Sequence, residues 1–358
     1  MTERTFRVRT AHGFRTVDPA AGHVLPHEHI LSDTRVWWEG EGDWRAFDSA
    51  EELAATTPEQ LHLQPQGVTR ENMVLSDWYL GARELRMARD SGTQLVVDLT
   101  VLGLGPNTEV AVRAADLAGL DVVVSVGRYL HDAIPAREHA ATEDELVERW
   151  LTQITDGIDG YTPGIIGEIG TSWDIEDDER SALRAAARVQ RLTGLPVNIH
   201  VHPFAKRALE AISMAEAAGA DPGRIAVSHL DCEIDLPQLE AILRTGAYVE
   251  MDNFGTSRTR IVNGAGYPDD SERLDALEHL INLGFTRQLL LSHDINHRNS
   301  LISNGGWGYA HIGRSVIPRL IDHFGTDTAQ ALTVENPLSF LHVQPEHERA
   351  IGSLSTHP

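Results

Sequence analysis

The segment GHVLPHEHI, Gly22–Ile30, sets His27 and His29 two residues apart inside an apolar stretch. Successive side chains of a strand point to opposite faces, so a strand here presents both imidazoles on one side. His23 shares that face but lies deeper, as a structural residue. An open doubly wound sheet is the main alternative architecture, and its first strand ordinarily runs into a glycine-rich phosphate turn. The continuation HEHILSD is nothing like one.

Seven further short apolar runs follow: Leu95–Thr100, Val122–Gly127, Ile165–Gly170, Val197–His202, Ile225–Leu230, Ala247–Asp252 and Leu289–Asp294. With His23–His29 they make eight strand candidates. Between them lie helical stretches such as Thr69–Gly92, Glu176–Gly194 and Ala205–Gly223, with apolar residues near helical spacing and glycine stops. Eight strand–helix units in one uninterrupted domain predict an α/β fold of the (β/α)8 TIM-barrel type. Thr5–Ala20 alternates around Gly13 and predicts a short N-terminal β-hairpin. The expected division is a hairpin over 1–20, the barrel over 21–340 and a C-terminal tail over 341–358.

The 358 residues are 41% hydrophobic, enough for a large core, and carry a net charge of −23. That charge argues against nucleic acid and anionic membranes as partners. No run approaches the roughly 18 apolar residues of a membrane helix, and MTERTFRVRT lacks a signal-peptide core, so a cytoplasmic location is expected. Cys232 is the single cysteine, which rules out an internal disulfide.

In a barrel, catalytic groups gather at the C-terminal ends of the strands. Those ends read HEH (His27, His29), GEIG (Glu168), NIHVH (His200, His202), VSHLD (His229, Asp231) and LSHD (His293, Asp294). Each is weak evidence alone. Packing does not demand polar groups at one end of five strands, and burying them unpaired costs free energy. Imidazole and carboxylate donors suit zinc, manganese, cobalt or iron. His27, His29, His200, His229 and Asp294 could hold one ion. Two ions about 3.5–4 Å apart need a bridging anion, and Glu168 can give one oxygen to each. A hydroxide shared by both ions would then serve as nucleophile near neutral pH.

The opening HxH, PVNIHVH, VSHLD, GAYVEMDNFG, LSHDINHR and NGGWGYAHI, in this order over nearly the whole chain, resemble the phosphotriesterase family of the amidohydrolase superfamily. EIGTS, NGGWGY and ENP resemble its phosphotriesterase-homology and phosphotriesterase-related branch most. The resemblance implies the barrel fold and two divalent ions per chain, zinc first among them. It implies that His27, His29 and Asp294 hold the buried ion, and His200 and His229 the more exposed one. Many members bridge the ions with a carboxylated lysine on the fourth strand. This chain departs from that pattern, because its one lysine, Lys206, follows the fifth strand; Glu168 takes the role instead. His202 and His293 fall outside the ligand positions and are expected behind the ligands or on the rim. A homodimer is also implied.

The reading that follows is a hydrolase acting on a small molecule: a lactone, carboxyl ester or phosphoester. Asp294 takes the proton of the attacking hydroxide and passes it outward through His229 or Asp231. Tyr129 lies where related lactonases carry a tyrosine near the metals, and can hydrogen-bond a carbonyl. Arg128 can pair with an anionic group. Trp307 and Tyr309 can close the pocket. Trp37, Trp38 and Trp44 can wall it or form a dimer face. Arg258 and Arg298 can approach it. Three rivals stand beside this reading: an amide hydrolase acting on an N-acyl amino compound, a mononuclear-metal deaminase that has no need of Glu168, and a non-catalytic metal-binding protein.

Overall fold

The computed structural model describes residues 5–38, 71–256, 261–262 and 265–354. All eight expected strands are present. They are β1 (His23–Glu28), β2 (Thr93–Asp98), β3 (Asp121–Arg128), β4 (Pro163–Thr171), β5 (Val197–Val201), β6 (Ile225–Val227), β7 (Tyr248–Met251) and β8 (Leu289–Leu291). They pair in parallel, each with its sequence neighbour, in a single sheet ordered β1 to β8. The crossovers carry α1 (Trp78–Asp90), α2 (Thr108–Ala118), α3 (Glu143–Asp156), α4 (Asp177–Thr193), α5 (Ala208–Ala217), α6 (Leu236–Arg244) and α7 (Asp270–Asn282). The architecture is a (β/α)8 barrel.

Alternation along the strands sorts the core into two sets. Val24, Leu95, Val97, Val123, Ile165, Ala226 and Leu290 form one cluster with Phe6 and Val8 of the hairpin and Phe340 and Leu341 near the C-terminus. Their neighbours Leu25, Val96, Val122, Val124, Ile166, Val227, Leu289 and Leu291 cluster with the helices. Period-two patterning thus fills the barrel with one set and attaches the helices with the other. The hairpin, Phe6–Thr10 paired with Gly13–Val17, plugs the end opposite the polar rim. The expected C-terminal tail contains a helix, Pro345–Leu354, tied to the hairpin by Glu348, whose Oε2 and Oε1 accept from Arg7 at 2.9 and 2.6 Å.

The seam between β1 and β8 closes largely through side chains. Glu28 is fully buried between the two opening histidines. Its Oε1 accepts from Ser292 Oγ (2.8 Å), His293 N (3.1 Å) and His293 Nδ1 (2.5 Å), and its Oε2 accepts from Ile295 N (3.0 Å). A carboxylate stitched in this way takes the place of ladder bonds and fixes the level of β1 against the segment after β8.

His23 is structural, as expected, with Nε2 2.8 Å from Thr93 Oγ1. Burial, helped by repulsion from His293, pushes its imidazole from 6.5 down to about 4. Unfolding therefore takes up a proton between those values. The associated stability is complete above about pH 6.5 and is lost as pH falls towards 4. His23→Gln should remove about 2 kcal/mol of the stability loss that wild type suffers between pH 7 and pH 5. Urea unfolding of both proteins at the two pH values measures it.

Candidate metal centre

Glu168 lies within β4, in the run GIIGEIGT. Gly167 has φ +124°, and a Cβ there would stand 2.2 Å from Asn198 O; a Cβ on Gly170 would stand 2.5 Å from Leu130 N. Glycine at both positions lets β4 press against its neighbours and carry the Glu168 carboxylate inward. His229 and Asp294 follow β6 and β8 directly, and both have left-handed backbones, with φ 61° and 50°. The ladders of β6 and β8 stop short of the expected ends because the chain turns there. Such backbone is costly for residues with a Cβ and gathers at functional sites.

The structure brings all six expected ligands together. Glu168 Oε1 lies 3.1 Å from His200 Nδ1, 3.1 Å from His229 Nε2 and 3.5 Å from His27 Nε2. Its Oε2 lies 3.6 Å from His29 Nε2. Asp294 Oδ1 stands 3.3 Å from His29 Nε2 and 3.7 Å from His27 Nε2. His229 Nε2 and His200 Nδ1 are 2.7 Å apart. Each of the six is at least nine-tenths buried.

This environment is anionic. Glu168, Asp294, Glu250 and Asp252 converge on the cluster, and their ion-pair partners among the described residues are histidines. Burial opposes charge on His27, but Glu168 and Glu250 outweigh it and lift the imidazole to about 10. His29 and His229 are raised likewise against the cost of burial, His29 chiefly by Asp294 and His229 chiefly by Asp252. Burial and the His229 charge push His200 down to about 4. Burial also works against the charge of Glu168, yet His27, His200 and His229 hold its carboxyl well below the usual range.

The donor set fits divalent cations. His27 Nε2 and Asp294 Oδ1 are buried without a hydrogen-bond partner, and orphaned polar atoms of this kind are rare unless something binds them. Three compact groups share His27: one with His29 and Asp294, one with Glu168 and His229, and one with Glu250 and Asp252. Nitrogen and carboxylate donors at this spacing match zinc and its neighbours.

The phosphotriesterase family model matches residues 7–341. The chain belongs to the phosphotriesterase family. It is a metal-dependent hydrolase on that ground, as the resemblance implied. Among curated relatives, an N-acetyltaurine hydrolase of Dictyostelium discoideum is 31% identical over 278 residues, covering 76% of this chain and 75% of its own. A phosphotriesterase-related protein of Drosophila mojavensis is 28% identical, with 94% of this chain and 98% of its own covered. Among solved structures, a resiniferatoxin-binding protein from Rhodobacter sphaeroides superposes with a TM-score of 0.84 at 30% identity, over 94% of this chain and 95% of its own.

The walls of this phosphotriesterase-type centre depart from expectation in several places. Tyr129 is where the sequence put it, buried, with its OH 3.4 Å from His200 Nε2. Trp37 Nε1 donates to that OH at 2.9 Å, and the Trp37 ring lies 5.9 Å from His200 and 5.3 Å from His202. Trp37 therefore belongs to the wall, and His202 to the rim, beside the half-exposed Trp173. Trp44 and Arg258 lie outside the described residues. Trp307 is half-buried and packed tightly over Gly255. Tyr309 does not close the pocket: fully buried, it donates from its OH to His29 O at 2.6 Å. Arg298 donates from its Nε to Val74 O and from its backbone N–H to Asn72 O, both at 2.9 Å. His293 is committed to Glu28 and to Ile312 N.

Arg128 is the main correction. It is 1% exposed and ion-paired with Asp178 of α4, and its Nη1 donates to Glu138 O. It holds the loop after β3 to α4 instead of facing a substrate. Asp231 is likewise spoken for, by Arg273 Nε at 2.6 Å and by the backbone and side chain of Asn253, so the proton route through it falls away.

The supporting groups missed in the sequence are Glu28, Thr100, Glu250 and Asp252. Thr100 Oγ1 takes His29 Nδ1 at 2.9 Å, Glu250 Oε2 takes His27 Nδ1 at 3.0 Å, and Asp252 Oδ2 takes His229 Nδ1 at 3.1 Å. Metal-binding histidines ordinarily donate their other nitrogen in this way. The signal was available in the two acidic residues of YVEMD, at the end of a strand that supplies no ligand.

Arg128→Met should leave the buried Asp178 charge with His131 as its remaining ion-pair partner among the described residues. It should destabilise the protein by about 3 kcal/mol in chemical denaturation, while leaving KM for any substrate within about twofold. A large rise in KM with unchanged stability would restore Arg128 to substrate binding.

Proposed function

We propose that the protein is a two-metal hydrolase of carboxylic acid derivatives, with an N-acyl amino compound as its substrate class. The observation that carries the two-metal reading is the placement of Glu168. Oε1 faces His200 and His229 at 3.1 Å and His27 at 3.5 Å, and Oε2 faces His29 at 3.6 Å, so a single carboxylate touches members of both ligand groups. His27, His29 and Asp294 would hold one ion, His200 and His229 the other, and Glu168 both. Zinc is the ion we propose, on the nitrogen-rich donor set. Bound there, divalent ions would polarise the scissile carbonyl and make water a competent nucleophile near neutral pH.

The protein's own groups do the rest. Asp294 is placed to take the proton of the attacking water. Its Oδ1 is free of hydrogen bonds, while Oδ2 is held by Asn296 Nδ2 at 2.9 Å. His229 Nδ1 lies 3.8 Å from Asp294 Oδ2, but with Nε2 turned to the ion and its Nδ1 proton held by Asp252 at 3.1 Å it has no free nitrogen to relay that proton. Tyr129 accepts from Trp37 Nε1 and lies 3.4 Å from His200 Nε2; with His200 Nδ1 turned to an ion, Nε2 would carry the proton and donate to the phenol oxygen, freeing the phenol O–H for the carbonyl oxygen. Burial, then Glu168, keeps that phenol protonated by raising it well above the ordinary tyrosine range. A donor fixed before the reaction stabilises developing negative charge at little reorganisation cost.

The choice of an amide rests on relatives named N-acetyltaurine hydrolase, in Dictyostelium discoideum and others. A lactone or carboxyl ester is the second reading, favoured by Tyr129 beside the ligands. Deamination has no use for Glu168 and is disfavoured by its contacts.

The test is turnover by the zinc-loaded protein on N-acetyltaurine and other N-acyl amino acids, lactones, carboxyl esters, phosphotriesters and aromatic amines. Release of free amine and carboxylate from N-acyl substrates is expected. Ammonia release alone would favour a deaminase, and no turnover by fully metallated protein would favour a binding role. Tyr129→Phe should lower kcat/KM on the order of tenfold, about 1.4 kcal/mol, with metal content unchanged by elemental analysis.

A further inference from the structure

Strand β7 supplies no ligand to the centre, yet it sets two carboxylates directly against it. Glu250 and Asp252 are two residues apart at its end, both fully buried. Glu250 Oε2 accepts from His27 Nδ1 at 3.0 Å and from Asn198 Nδ2 at 2.7 Å. Asp252 reaches further. Its Oδ2 lies 3.1 Å from His229 Nδ1 and 3.3 Å from His27 Nδ1. Both its oxygens also accept from the His229 backbone N–H, at 3.1 and 2.9 Å, and Oδ1 accepts from Asn253 Nδ2 at 2.7 Å.

An ionised carboxylate can only accept, so it selects the tautomer of each imidazole that carries its proton on Nδ1. In that tautomer Nε2 keeps its lone pair. His27 and His229 direct Nε2 at Glu168 Oε1, from 3.5 and 3.1 Å. One oxygen of Asp252 thus stands against a proposed ligand of each ion site: it takes the His229 Nδ1 proton at 3.1 Å and lies 3.3 Å from His27 Nδ1, whose hydrogen bond goes to Glu250. Among the proposed ligands, Glu250 touches His27 alone.

We propose that Asp252 is a positioning residue shared by both ion sites, setting the affinity of each, whereas Glu250 serves only the site that contains His29 and Asp294. This rests on the two-metal reading. An amide in place of Asp252 keeps the volume but removes the anion beside both rings, and it sets a donor where the His229 N–H needs an acceptor. Groups that orient metal-binding histidines in this way are worth about 10–100-fold in metal affinity.

The test equilibrates holoenzyme in a graded series of chelator-buffered free zinc and counts metal per chain by elemental analysis. For wild type, two equivalents are expected. In Asp252→Asn, half-saturating free zinc should rise at least about tenfold for both equivalents; in Glu250→Gln it should rise for one. Two equivalents at wild-type affinity in Asp252→Asn, or weakening of only one, would overturn the inference. A single equivalent in wild type would instead overturn the two-metal reading beneath it. Nitrogen-15 NMR of the wild-type zinc enzyme tests the same point without depending on a variant's folding. His27 and His229 should both carry the proton on Nδ1, and a proton on Nε2 of either would overturn the shared role.

Discussion

The charge on Glu168 is the constraint around which the upper half of the barrel is arranged. It is 1% exposed and is met by imidazole nitrogens of His27, His29, His200 and His229 at 3.1–3.6 Å. A carboxylate so far from water is costly unless positive charge compensates it. The surrounding structure bends to supply that compensation. Glycines beside Glu168 let β4 pack closely, and left-handed turns at His229 and Asp294 aim those side chains inward.

The barrel separates stability from chemistry by height. Below, period-two packing and the N-terminal hairpin give a dry apolar interior. Above, polar groups are held in successive layers: the four histidines and Asp294 around Glu168, then Thr100, Glu250 and Asp252 against the second nitrogens of His29, His27 and His229, then Glu28 locking β1 to the segment after β8. Each layer removes freedom from the one it supports, and so the groups around Glu168 are held by strands and strand ends. Loops enter only at the wall, where Trp37 and Tyr129 meet beside His200.

Much of this was legible in the sequence because it depends on local pattern. Short apolar runs placed all eight strands, and polar residues at strand ends are visible one strand at a time, which is why Glu168 and the five residues around it could be named. What was not legible depends on partners distant in the chain. Glu28 looks like a spacer between two histidines until Ser292 and His293 arrive beside it. Glu250 and Asp252 look like ordinary strand residues until β1 and β6 are placed. Arg128 reads as a substrate clamp because its partner Asp178 lies fifty residues on, in the first turn of α4. Tyr309, in a glycine-rich loop, reads as a lid residue and is instead a buttress under His29. In each case residue type suggested a role, and the long-range contact decided it.

The central claim is that one glutamate holds two ions, and the most direct measurement is metal content per chain by elemental analysis, on wild type and on Glu168→Ala. The account predicts about two ions in wild type, falling to one or none in the variant while His27, His29, His200, His229 and Asp294 remain in place. About one ion in both proteins, or two in both, would contradict it.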